Sequence, residues 1–190
     1  MSHNYKTQPY EHQRVALRKG ATQSVFGFFM EQGTGKTKVT IDNAVYLYNM
    51  QLLDTVFVIA PNSVYTNWKK ETMMVIDEST TIKNRTAKRT KNVMKLGKGV
   101  RYKRILTGTP VTKSPLDLWS QFAFLDEDLL GFKSFYSFRA RYCVMDSRPV
   151  GGNRKIEYPK YYINLEQLED KILPYTHRVL KKDCLDLGTC

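Results

Sequence analysis

Short apolar runs and longer amphipathic stretches alternate along this chain. Val25–Met30 is a bounded apolar run of strand length. Asp54–Ala60 is another, apolar from Val56 onward, as strands covered on both faces are. A third runs from Met73 into Asp77 and Glu78, and Arg101–Leu106 leads into a fourth strand that ends at Thr107-Gly108-Thr109-Pro110. Between them lie helical patterns. Pro9–Lys19 reads as a helix closed by Gly20. After Thr37, the apolar positions Ile41, Ala44, Val45 and Tyr48 recur at helical spacing. Further helices are predicted over Val64–Glu71, with Ser63 as its cap, and over Ile82–Leu96 and Leu165–Leu173. Pro115–Leu125 carries Leu116, Trp119, Phe122 and Ala123 on one face. Asp126–Tyr142 is an aromatic-rich helical stretch, and Ser147–Asn153 reads as a Pro/Gly loop. Strands alternating with helices predict an α/β fold, a mostly parallel sheet with helices on both faces.

The junction after the first strand carries the clearest chemistry. Glu31-Gln32-Gly33-Thr34-Gly35-Lys36-Thr37 joins a predicted strand to a predicted helix, the setting a phosphate-binding P-loop needs. Its glycines let Gln32, Gly33, Thr34 and Gly35 turn their N–H groups toward phosphate oxygens, and the helix N-terminus adds partial positive charge. Lys36 is expected at the β- and γ-phosphates of ATP and Thr37 at a Mg²⁺ ion. Asp77 and Glu78 stand at a strand end, where open α/β sheets place their ligands. Asp77 is expected to share the metal, and Glu78 to orient or deprotonate the attacking water. Gln13 offers both a donor and an acceptor to an adenine edge, and reads equally as a surface amide.

Composition narrows the class. At 42% hydrophobic the chain can bury a core, and its longest apolar runs are far too short to span a membrane. The first residues lack the apolar core of a signal peptide. Cys143, Cys184 and Cys190 have no metal-ligand spacing, which fits a reducing, cytoplasmic interior. Net charge is +12, and its distribution says more than its sum. From Ser79 to Pro115 there is no Asp or Glu but eleven Lys and Arg. Such a run is either a solvated face or a surface for a polyanion, and its place beside the phosphate motifs favours nucleic acid. Lys83, Arg85, Lys88 and Arg89 are the first candidates.

Together these stretches resemble the first RecA-like lobe of a superfamily 2 helicase, nearest the Swi/Snf branch and its phage-encoded members. Pro9–Gln13 resembles the adenine-recognising glutamine motif, and Glu31–Thr37 resembles motif I. Ala60-Pro61-Asn62-Ser63 resembles motif Ia, which implies backbone contacts to nucleic acid from Pro61, Asn62 and Ser63. Val75–Thr80 stands where the branch has its Asp-Glu-Ala-His box. Leu106–Pro110 resembles motif III, which implies that Thr107, Gly108 and Thr109 couple the phosphate state to strand binding. Arg178–Asp183 resembles the stretch that closes the lobe. The resemblance implies a DNA-dependent ATPase lobe, with DNA rather than RNA as polymer and a second RecA-like lobe supplied elsewhere. It also implies the host cytoplasm if the chain is phage-encoded. An unrelated P-loop kinase and a non-catalytic nucleotide- or nucleic-acid-binding module are the competing readings.

The chain departs from the pattern at three places. Met30 replaces a small or acidic residue, and Ser79-Thr80 replace Ala-His. Glu71 is followed almost at once by the third strand, where the branch has a further helix and strand. The sequence reads as if a segment were missing near residues 71–73.

Overall fold

The computed structural model describes residues 7–59, 72–111, 114–149 and 155–183. Five parallel strands form the main sheet: β1 (Val25–Met30), β2 (Thr55–Ile59), β3 (Thr72–Ile76), β4 (Tyr102–Leu106) and β7 (Thr176–Val179). Their spatial order is β2-β3-β4-β1-β7. Among the described residues six α-helices accompany them: α1 (Glu11–Gly20), α2 (Lys36–Asn49), α3 (Lys88–Gly97), α4 (Leu118–Leu125), α5 (Phe135–Tyr142) and α6 (Leu165–Ile172). A separate antiparallel ribbon pairs β5 (Cys143–Pro149) with β6 (Lys155–Tyr162).

Strand alternation builds two cores. Phe26, Phe28, Met30, Met73 and Val75 point to one face and pack with Ala16 and Leu17 of α1 and Val39 and Leu47 of α2. Phe29, Met74, Ile76 and Ile105 point to the other, against Val93, Phe122, Phe138 and Leu168. The expected α/β fold with helices on both faces is present. The chain leaves β1 for β2 at one edge and leaves β4 for β7 at the other. The strand order therefore reverses between β4 and β1, where such sheets hold ligands outside their C-terminal ends.

Several elements differ from the sequence pattern. On α2 the core face is Val39, Asn43 and Leu47, while Ile41, Val45 and Tyr48 are exposed. Val56 and Val58 are also exposed, because β2 is an edge strand. The helix expected from Ile82 begins only at Lys88. Asn84 is the reason: its side-chain oxygen accepts from Thr86 N–H at 3.1 Å and from Thr86 Oγ1 at 2.8 Å, holding a local turn that competes with helix. The stretch read as a loop from Ser147 is strand up to Pro149. Pro149 and Pro159 suggest a loop, but a two-stranded ribbon consists only of edges, where proline is tolerated. β7 was unforeseen: Thr-His-Arg-Val has one large apolar residue and only its ends are buried. β2 and β3 are parallel neighbours joined through residues 60–71, about the dozen residues that a parallel crossover requires.

Arg104 on β4 is fully buried and has no carboxylate partner among the described residues. It donates to Asn43 Oδ1 at 2.9 Å and to the carbonyls of Gly20 at 3.0 Å, Gln23 at 2.8 Å and Ser24 at 3.0 Å. It thus ties the end of α1 and the following turn to α2 and the sheet. Burial lowers its pKa to about 10.

Candidate nucleotide site

The C-terminal ends of β1, β3 and β4, three neighbouring strands, deliver the phosphate loop, the Asp77-Glu78 pair and Thr107–Thr109 to one place. Glu31, Gln32, Lys36, Glu78, Gly108, Thr109 and Lys181 line a cleft of ≈510 Å³ there. Gly33 and Gly35 have φ of 86° and 88°, in the left-handed region that favours glycine, and Lys36 opens α2. Thr37 is exposed in the first turn of the same helix.

Gln13 supports this loop from behind. It is only 5% exposed; its Oε1 accepts from Tyr10 N–H at 3.0 Å and its Nε2 donates to the Thr34 carbonyl at 3.2 Å. Both ends of the amide expected at an adenine edge therefore bond the chain itself. A Cβ on Gly35 would stand 2.2 Å from Gln13 Nε2, so Gly35 is fixed by packing as well as by φ. His12 Nε2 lies 3.0 Å from the same Thr34 carbonyl, and Thr34 Oγ1 donates to the Glu31 carbonyl at 2.7 Å. The Glu31 carboxylate accepts from Lys181 N–H at 2.6 Å, which brings the stretch after β7 to the cleft. Lys181 was not foreseen as a site residue; its only signal was its place in Arg178–Asp183.

The ends of β3 and β4 are as firmly set. Asp77 N–H donates to the Ile59 carbonyl at 2.8 Å, and Asp77 Oδ1 accepts from Glu78 N–H at 3.0 Å. Glu78 itself holds φ of 50°, uncommon for a residue with a Cβ and often found at functional sites. Thr107 is buried, and Thr109 N–H donates to Thr107 Oγ1 at 3.2 Å. A Cβ on Gly108 would lie 3.3 Å from Glu31 Cα and 3.5 Å from Gln32 N, so motif III rests directly on the phosphate loop. The oxygens of Thr37 and Asp77 are hard donors of the kind Mg²⁺ takes. Among the described residues no cluster of three or more His, Cys, Asp or Glu forms a metal cage.

The basic run is less uniform than its sequence. Lys83 Nζ is 4.0 Å from Asp117, and Arg85 lies over the rings of Phe135 and Tyr136 and donates to Tyr136 OH at 3.2 Å. Arg104 is buried and leaves the predicted nucleic-acid surface altogether. Lys91, Lys95 and Lys98 line a groove with Trp119, Phe132, Glu127 and Asp128. Lys88 and Arg89 are exposed at the N-terminus of α3, which has Ala87 at its cap position and no side-chain cap. Cations there oppose the helix dipole, a local conflict of the kind kept at functional sites. Pro61, Asn62, Ser63 and the predicted helix after them lie outside the described residues.

The SNF2-related domain matches residues 69–186, more than half of the chain. The chain belongs to the SNF2-related domain family. A 111-residue stretch is 36% identical to TATA-binding protein-associated factor mot1 of Schizosaccharomyces pombe, covering 58% of this chain and 6% of that protein. A 104-residue stretch is 35% identical to the SWI/SNF-related regulator of chromatin subfamily A-like protein 1 of Drosophila melanogaster, covering 53% of this chain and 13% of that protein. The SWI2/SNF2 ATPase core of Sulfolobus solfataricus in complex with dsDNA superposes with a TM-score of 0.71 at 24% identity, over 96% of this chain and 47% of that one. At that identity the likeness shows the fold alone. This SNF2-related chain thus spans about half of a solved core and a small fraction of its curated relatives. The family match begins at residue 69, so the phosphate loop stands on its own geometry. No described helix is long and apolar enough to cross a membrane.

Proposed function

We propose that the chain is the ATP-binding lobe of a DNA-dependent ATPase of the translocase type. The observation that carries this is the gathering of Lys36, Glu78, Gly108 and Thr109 around one cleft at the reversal of strand order. Lys36 neutralises the β- and γ-phosphates, and the backbone N–H groups of Gln32–Gly35 cradle their oxygens. Thr37 and Asp77 hold Mg²⁺, which when bound neutralises charge on the phosphates. Glu78 orients a water whose oxygen attacks the γ-phosphorus as the bond to ADP breaks, and accepts its proton. Gln13 serves the nucleotide by bracing the loop. Thr107–Thr109 carry the phosphate state onward, since Gly108 rests on the loop. Duplex DNA is met by Lys88 and Arg89 at the start of α3, and Pro61, Asn62 and Ser63 are further candidates for its backbone.

The test is calorimetry with Mg·ATP. Wild type is expected to bind, and Lys36→Ala to lose at least tenfold in affinity. Equal affinity in the two proteins would sink the assignment.

A second reading, a module that binds without turnover, is favoured by one observation. Among the described residues that line the cleft there is no arginine. Arg139 is 3.3 Å from Glu157 and Arg141 donates to Gln167 at 2.8 Å, both outside the cleft lining. An arginine finger is worth roughly a thousandfold or more in related enzymes. Turnover by this chain alone is therefore expected to be weak even with saturating DNA, with Glu78→Gln as the blank. A second RecA-like lobe is the partner that would supply the charge, and a segment is inferred to be missing near residues 71–73. A phage origin and a place in the host cytoplasm rest on the resemblance alone.

A further inference from the structure

Neither Ser79 nor Gln121 belongs to the cleft lining, yet together they connect its walls. Both are 0% exposed. Ser79 Oγ donates to Gln121 Oε1 at 2.6 Å. The other end of the amide, Nε2, donates to the Pro110 carbonyl at 2.8 Å and to the Asp117 carbonyl at 3.0 Å. Ser79 directly follows Glu78, and Pro110 directly follows Thr109. One planar amide on α4 therefore grips the residue next to each of two cleft-lining side chains. The grip also accounts for the Glu78 backbone. A positive φ at a residue with a Cβ persists only where its surroundings over-determine it. Here the buried Ser79 bond fixes one side of that turn, and the Asp77 Oδ1 bond to Glu78 N–H fixes the other. In a buried site such bonds are strengthened by the low dielectric, and a half-broken network is costly.

We infer that Gln121 is a positioning residue that sets the spacing of Glu78 and Thr109 across the cleft, through Ser79 on one wall and Pro110 on the other. The inference rests on the ATP reading. If the amide holds both walls at the width that a γ-phosphate needs, cutting it weakens ATP more than ADP. A purely structural bond behaves otherwise: removing both of its ends together restores part of the stability and, in step with it, the ratio of ATP to ADP affinity.

The experiment compares wild type, Ser79→Ala, Gln121→Leu and the double variant, with Lys36→Ala as control. Affinities for Mg·ATP and Mg·ADP come from calorimetry and Tm from thermal melts. Gln121→Leu alone should lower Tm, since it strands the Ser79 hydroxyl and two carbonyls. The double variant should regain part of that Tm. The ratio of ATP to ADP affinity is expected to stay about tenfold below wild type in both. If the ratio recovers together with Tm, or never departs from wild type, the positioning role is overturned. In either case loss of binding in Lys36→Ala leaves the ATP reading standing. Should wild type and Lys36→Ala bind ATP alike, both fall.

Discussion

The phosphate loop and the basic run present the same sign of charge, and the fold treats them in opposite ways. At the loop, glycine backbone, a strand end and a helix start converge so that one lysine faces one cleft. In the run the cations scatter. Arg104 is sealed in the interior, Arg85 stacks on two rings, three lysines share a groove with acids, and only Lys88 and Arg89 open a helix toward solvent. A charge in sequence has no direction until its neighbours give it one. A glycine with φ near 88° beside a buried glutamine already has one.

The sharpest way to break the comparison is to remove the cation that the fold itself consumes. Arg104→Met takes the donor from the Gln23 carbonyl and Asn43 Oδ1, and leaves the Gly20 and Ser24 carbonyls only their backbone N–H partners. Each buried acceptor left without a donor costs about 1–3 kcal/mol. That is a large share of a typical domain's total stability. Arg104→Lys should fail as well, because an ammonium lacks the planar fork that reaches several carbonyls. Urea unfolding checks both. An Arg104→Met protein as stable as wild type would return this residue to the surface run.

Next in size is the loop's own geometry. Gly35→Ala puts a Cβ against Gln13 Nε2 and forces a left-handed φ on an L-residue. The backbone strain is about 1–3 kcal/mol. Nucleotide affinity should fall with it, because relief requires Thr34 or Gln13 to shift. Trimming the neighbour in Gln13→Ala/Gly35→Ala should recover part of the stability. A single variant with unchanged melt and unchanged ATP binding would show that Gln13 does not brace the loop.

The surface end of the comparison is tested by Lys88→Glu/Arg89→Glu. Affinity for duplex DNA should fall for all sequences alike, and the slope of log affinity against log salt should flatten by about 1.8. Stability should move the other way. Acids at a helix N-terminus suit its dipole, each by about 0.3–1 kcal/mol. Weaker DNA binding with an equal or higher Tm separates a binding role from a folding role. Unaltered affinity and slope would reduce these residues to a solvated face.

Legibility in the sequence followed the same division. β1, β2 and β3 were readable because each is a largely apolar run ended by turn residues, and β4 because Ile105-Leu106 leads into Thr107-Gly108. The strand-to-helix turn at Gly33 and Gly35 was readable because its left-handed backbone is written in glycines. β7 was hidden because Thr-His-Arg-Val lies at the sheet edge and buries little. The ribbon was hidden because its prolines imitate a loop. α2 was placed correctly but turned wrongly: Asn43 belongs to the core only because Arg104 binds it, a tertiary fact no periodicity carries. Gln121 was passed over for the same reason, since a glutamine beside aromatic residues looks like surface until Ser79 is found beneath it.

The smallest effect concerns how α1 is held at its two ends. Near its start, His12 bonds the Thr34 carbonyl through Nε2. A carbonyl only accepts, so that nitrogen carries hydrogen, and the bond survives protonation of the ring. Near its end, Lys19 Nζ lies 3.3 Å from His177 Nδ1 on β7. An ammonium only donates, so that nitrogen is bare, and protonating it breaks the bond. Burial, and then the charges of Lys19 and His12, lower the His177 pKa below its ordinary 6.5. The sign follows. Below that ordinary value the unfolded chain takes up a proton that the folded chain refuses. The stability tied to neutral His177 is therefore complete above 6.5 and is lost as pH falls through the lowered folded value. His177→Gln keeps an acceptor for Lys19 and removes the titration. Its urea midpoint should decline less than that of wild type between neutral pH and pH 5, while ATP affinity, which depends on the His12 end, stays level. Parallel pH profiles in the two proteins would show that the Lys19–His177 contact does not bear on stability.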